Sequence, residues 1–248
     1  MISDFNKIFQ RELSISMKNF LILFTFSSFF IISILIFILA IGSKLTEIHG
    51  LYKPIILVTL IFSSTLISEN FIHNDFFDGS LKELKSLGYS EESIILCKSL
   101  VMWLMVILPT IFLMPIFSIF FNISTNDSFY LFLNILFATP SLTMISMVSS
   151  LFSIQLGRNK IIQFILIFPF YIPIIIFASS SSNIQINTNS HNSNFLILIG
   201  IFFITLPVCL YISRLIMKEL NRWFLDLPTR LDFKNLQRSL NPFLLLWL

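Results

Sequence analysis

Long charge-free apolar runs alternate with short polar stretches along this chain. A bilayer core about 30 Å thick needs roughly 20 apolar residues in helix to cross it. No charge lies between Lys18 and Lys44, and residues 20–41 form a first span. A second, bounded by Lys53 and Glu69, is the shortest; it reaches spanning length only as 52–69, by borrowing residues on its N-terminal side. Residues 97–121 and 129–153 are two further spans, separated by the polar stretch 122–128. From Ile161 to Ser213 there is no formal charge, and the Ser/Asn-rich stretch 179–194 divides that run into spans 161–178 and 195–213. The pattern predicts an all-α polytopic membrane protein with six transmembrane helices.

Composition agrees. Of 248 residues, 56% are hydrophobic and 12% charged, and the mean hydropathy is +0.88. A soluble domain carries about 25% charged residues. Six glycines and no G-x-x-x-x-G-K-[ST] string exclude a glycine-rich nucleotide site. Two isolated cysteines, Cys97 and Cys209, exclude a disulfide framework and any C-x-x-C metal site, and both read as packing residues. A net charge of +3, scattered along the chain, leaves no nucleic-acid footprint.

Basic residues set the orientation. With both termini cytoplasmic, only Lys44 and Lys53 of the 16 Lys and Arg fall outside. A cleavable signal peptide is excluded by the length of the first apolar run, since a signal's apolar region is about 7–15 residues. Residues 1–19 read as an amphipathic interfacial helix with Phe5, Ile8, Phe9, Leu13 and Met17 on its apolar side. Residues 214–248 read as a basic cytoplasmic or interfacial tail.

The span interiors hold no ionisable group, which disfavours a proton- or ion-coupled carrier. Pro109, Pro115, Pro140, Pro169, Pro173 and Pro207 lie within four spans, and each removes one helix hydrogen bond. The most informative stretch is the cytoplasmic segment 70–96 with Glu69 before it. Ser80 and Glu83 have capping-box spacing, Leu81, Leu84 and Leu87 recur every third residue, and Gly88 is a C-terminal stop. Ser90 opens the next helix, with Glu91 and Glu92 in its first turn. The segment thus encodes a short amphipathic helix. It either lies on the membrane or docks a soluble partner through its leucines. Asp75 and Asp78 read as a solvated acidic turn.

These residues carry a resemblance. Glu69 followed by Asp75-x-x-Asp78-Gly79-Ser80-Leu81-x-Glu83-Leu84 resembles the signature of the CcmB family. That family is the membrane permease subunit of the cytochrome c maturation ABC transporter. Ala138-Thr-Pro140-Ser-Leu142, the stretch Ile167–Ala178 with Pro169 and Pro173, and Phe9-x-Arg11-Glu12-Leu13 are similar as well, in order, over about residues 1–215. The resemblance implies a type-2 ABC-exporter-like permease in a bacterial inner membrane, with a mitochondrial inner membrane as the alternative. It selects the docking reading of the segment from Asp78 to Gly88, with a separate CcmA-type ATPase holding the ATP. The other partners it implies are CcmC, CcmD, a CcmE-type haem chaperone and a second copy of the chain. The function implied is haem export, or ATP-driven release of the haem-loaded chaperone. A non-transporting scaffold of a haem-handling complex and an independent small-molecule carrier are the alternatives. No cofactor is assigned to this chain. Haem enters as the transported ligand, with His49 and His191 in the outer loops as candidate contacts against a solvated role. The family pattern gives no role to residues 215–248.

Overall fold

The structure is a computed structural model that describes residues 2–41, 52–155, 160–180 and 189–226. In chain order its helices are α1 (Ile2–Lys18), α2 (Phe20–Ile41), α3 (Tyr52–Phe77), α4 (Ser80–Ser86), α5 (Glu91–Phe120), α6 (Thr125–Gln155), α7 (Lys160–Ser180) and α8 (Asn189–Asp226). Among the described residues there is no strand. Five helices are long and apolar enough to cross a membrane: α2, α3, α5, α6 and α8. The apolar stretch of α7, Ile167–Ser179, is shorter.

The bundle is built around α6, which packs against α3, α5, α7 and α8. Every residue from Ser141 to Leu151 is buried. The spans of α3 and α6 are each 72% buried, against 17% for α2 and 11% for α8. Two helices therefore form the interior, while two turn most of their surface outward. This reverses the weight that hydropathy gives the second span. α3 is an interior helix of 26 residues. It carries Thr59, Ser63, Ser64, Thr65 and Ser68, all buried, because protein rather than lipid surrounds it.

Hydroxyls are affordable there because a helix can satisfy them itself. Ser63 Oγ donates to the Thr59 carbonyl at 2.7 Å, Ser68 Oγ to Thr65 at 2.8 Å, and Ser149 Oγ to Ser146 at 2.8 Å. Small side chains also let helix backbones approach closely, where dispersion replaces the absent hydrophobic drive. Three helices meet in one hydrogen-bonded knot. Ser150 Oγ on α6 lies 2.9 Å from Ser68 Oγ on α3, and Gln163 Nε2 on α7 donates to Ser150 Oγ at 3.0 Å.

α6 runs unbroken through Pro140. Proline lacks the N–H that would bond the carbonyl four residues back, here Leu136. Thr139 Oγ1 donates to that Leu136 carbonyl at 3.3 Å and accepts from Trp103 Nε1 of α5 at 3.0 Å. A neighbouring hydroxyl thus covers the carbonyl left by the proline. Among the described side chains of α2, Phe26, Phe30 and Ile34, four residues apart, are the buried ones. Phe30 meets Phe117 of α5 edge-on, with ring centroids 5.4 Å apart.

Several helix ends differ from the sequence reading. α8 continues through Arg214 to Asp226, so the predicted tail starts as helix; residues 227–248 lie outside the described residues. α3 runs on to Phe77, about two turns past the predicted end at residue 69, whereas α5 begins at Glu91, where Ser90 opens it.

Replacing Gln163 with leucine should be mild. The substitution removes the Nε2 bonds and also Gln163 Oε1, which has no partner despite full burial. Ser68 and Ser150 keep each other, so Gln163→Leu should change stability by no more than about 1 kcal/mol, as inter-helix polar bonds average about 0.6 kcal/mol. Unfolding in mixed micelles would measure it; a loss several times larger would mean the knot carries the α3–α6–α7 junction.

Candidate functional site

Chemistry-bearing side chains gather at one end of the bundle, where α3 ends, α4 turns and α5 begins. α3 stops at Phe77, and Gly79 takes a left-handed conformation (φ 75°) that a side chain disfavours. Gly79, not Ser80, is the N-cap of α4, and no side chain caps that end. The predicted capping box therefore does not form. Gly79 supplies the turn, which leaves Ser80 as the first helical residue, its Oγ donating to the Asp75 carbonyl at 3.3 Å. The other end behaves as its sequence indicates. The Gly88 N–H bonds the Lys85 carbonyl at 3.0 Å, and Gly88 is left-handed (φ 83°). Ser90 then caps α5, accepting from the Ser93 N–H at 3.3 Å. Lys85 pairs with Glu91 across the turn.

The leucine stripe is divided. Leu81 and Leu84 are 2% and 1% exposed, turned into this chain's own core, whereas Leu87 is 65% exposed. Two of the three leucines therefore fasten α4 to the bundle and are not presented outward. The outward surface of α4 consists of Lys82, Glu83, Ser86 and Leu87, with Asp78 and Gly88 exposed at its ends.

Beneath α4 lies a charge cluster that sequence reasoning did not assemble. Lys98, in the second turn of α5, is 0% exposed. Its ammonium bonds Glu12 Oε2 of α1 at 2.6 Å and Asp75 Oδ2 at the end of α3. The Phe71 ring lies 5.3 Å from its Nζ. Glu12 also holds Arg11 at 2.9 Å, and Arg11 reaches Glu83 of α4 at 3.7 Å. Asp75 is therefore a partly buried partner of a buried lysine, not a solvated turn residue. A buried pair is hard to break: removing one partner leaves a bare charge and costs about 3–5 kcal/mol.

α1 is shaped by this cluster. Among its described side chains the buried ones are Ile8, Glu12 and Ser16, spaced four apart, while Met17 is exposed. The stripe facing α5 thus has a carboxylate at its centre, because Lys98 lies opposite. Phe9 and Leu13 pack beside it. Two signals in the sequence pointed here: a lysine just inside an apolar run that begins at Ile94, and a glutamate four residues from both Ile8 and Ser16. They are 86 residues apart, and no local pattern joins them.

Of the remaining predicted residues, Glu69 is buried near the end of α3. Pro140 lies inside α6, and Pro169 and Pro173 inside α7, away from the charge cluster. Cys97 and Cys209 are both buried. His49 lies outside the described residues, as does the side chain of His191. Among the described residues no three His, Cys, Asp or Glu converge into a metal-holding group.

Known proteins resemble the chain over most of its length. Residues 3–215 match the model of the CcmB protein family. "Heme exporter protein B" of Haemophilus influenzae is 31% identical over 176 residues, covering 71% of this chain and 80% of that protein. Its counterparts in Pseudomonas aeruginosa and Escherichia coli K12 are each 28% identical, over 153 and 177 residues. They cover 62% and 71% of this chain, and 69% and 80% of their own lengths. The matched region includes the charge cluster, α4 and the bundle helices as far as residue 215 of α8, and the chain belongs to the CcmB family.

Proposed function

We propose that this chain is the membrane permease subunit of an ABC transporter for cytochrome c maturation, acting in haem export or in ATP-driven release of a haem-loaded chaperone. Family membership supports the haem-handling part, since the relatives are named as haem exporters. The observation that carries the mechanism is α4. It is a separate short helix, fastened inward by Leu81 and Leu84, with Lys82, Glu83, Ser86 and Leu87 left outward. A helix held this way can receive a push from a soluble partner and pass it to α3 and α5.

In this reading the partner is a CcmA-type ATPase, and ATP is hydrolysed there. CcmC, CcmD and a CcmE-type chaperone complete the assembly, and two copies of this chain stand side by side. Six spans (α2, α3, α5, α6, α7 and α8) place both termini and α4 on the cytoplasmic face of a bacterial inner membrane. α7 supports the sixth span by length, since 21 helical residues rise about 31 Å. Residues 1–19 and 214–248 serve as interfacial segments on that face.

Burial of Leu84 determines which substitution tests docking. Leu84→Ala should destabilise the bundle by about 2–5 kcal/mol, as core leucine deletions do, and so reports on folding. Leu87→Asp should change stability by less than about 0.5 kcal/mol, as exposed substitutions do. It should nevertheless reduce co-purification of the ATPase in mild detergent and abolish ATP-dependent haem-chaperone release. Normal ATPase recovery and release with Leu87→Asp would overturn α4 as the docking element.

The topology has its own test. In intact cells a membrane-impermeant thiol reagent should label Asn122→Cys, at the α5–α6 turn, and should label Ser86→Cys only after the inner membrane is opened. Both positions are exposed, while Cys97 and Cys209 are buried. The opposite labelling pattern would invert the proposed orientation.

A further inference from the structure

α1 and α4 are adjacent in space yet fastened to different helices. α1 packs along α5, α4 packs on α3, and neither packs broadly on the other. What joins them is a chain of charge. Lys98 holds Glu12 of α1 and Asp75 of α3 from a site with no exposure. Beyond these, Ser80 at the start of α4 bonds the Asp75 carbonyl, and Glu83 within α4 meets Arg11, which meets Glu12. The loop from Lys98 through α3, α4 and α1 closes on itself.

We propose that Lys98 is the positioning residue that ties α1 to α4, so that the two helices respond to the ATPase as one platform. This rests on the permease reading given above. The physical reason is range. Dispersion contacts lose a quarter to a half of their strength over a gap of 0.5–1 Å. Coulomb attraction decays only as the inverse of distance and is strongest where water is excluded. Charges on Lys98, Glu12 and Asp75 therefore hold α1 to the α3–α4 turn through displacements that would part an apolar contact. An apolar replacement of such a cluster often folds as well as the original or better. Stability alone therefore does not require these charges, whereas transmission of movement does.

The test uses the full chain in its ATPase-containing complex, with amide hydrogen exchange followed in α1 and α4 with and without a non-hydrolysable ATP analogue. In the parent, both helices should change protection together. The triple variant Lys98→Met, Glu12→Gln, Asp75→Asn leaves no bare buried charge. It should keep the α4 response, lose the α1 response, and lower substrate-stimulated ATP hydrolysis about five-fold or more, the low end of a typical coupling energy. Arg11→Gln cuts the half-exposed outer link without touching the buried pair, and should act in the same direction to a smaller extent. The proposal is overturned if the triple variant retains the linked α1 response. It is equally overturned if the triple variant fails to accumulate and Arg11→Gln behaves as the parent. If α4 in the parent does not respond to nucleotide, the permease reading itself fails, and this proposal with it.

Discussion

A lysine ammonium with no access to water has to be solvated by protein, and Lys98 imposes that demand on the fold. Its position near the start of α5 requires carboxylates from elsewhere, and they come from α1 and from the end of α3. Meeting the demand joins α1 and the end of α3 to α5. Gly79 and Gly88 supply the two left-handed turns, and Leu81 and Leu84 fill the space under α4.

The membrane interior is organised by a different rule. Lipid tails are as apolar as leucine, so burial of apolar surface does not by itself draw helices together. α3 and α6 therefore meet through small hydroxyl-bearing residues that allow close approach, while Phe24, Phe112 and Phe203 of other helices face outward. Ser68, Ser150 and Gln163 form the point where three helices are bonded to each other rather than merely adjacent. Pro140 fits the same scheme, since Thr139 compensates the carbonyl it leaves open.

The fold class and the α4 turn were legible in the sequence because each rests on a local signal. Charge-free runs mark α2 and α5, Ser90 and Gly88 mark helix ends, and the signature around Asp78 marks the family. Burial was less legible. Hydropathy ranks α3 low because of its serines and threonines, yet those residues occur there because α3 is interior. The capping box at Ser80 was misleading because a glycine one residue earlier already made the turn. The leucine stripe gave no sign of which side of α4 faces the bundle. The pairing of Glu12 with Lys98 has no local signature at all, since two charges far apart in sequence identify each other only once folded.

α8 has 38 residues, about 57 Å of helix, which is well beyond the roughly 30 Å of hydrocarbon it has to cross. Its surplus carries Arg214, Lys218 and Arg222, and Arg214 is already paired with Glu92 at the start of α5 at 2.9 Å. Cations just beyond a span are drawn to anionic headgroups and resist being pulled into oil. Under the permease reading proposed above, those cations set the depth of α8 in the bilayer, so that force arriving at α4 would tilt helices rather than lift the protein through its lipid.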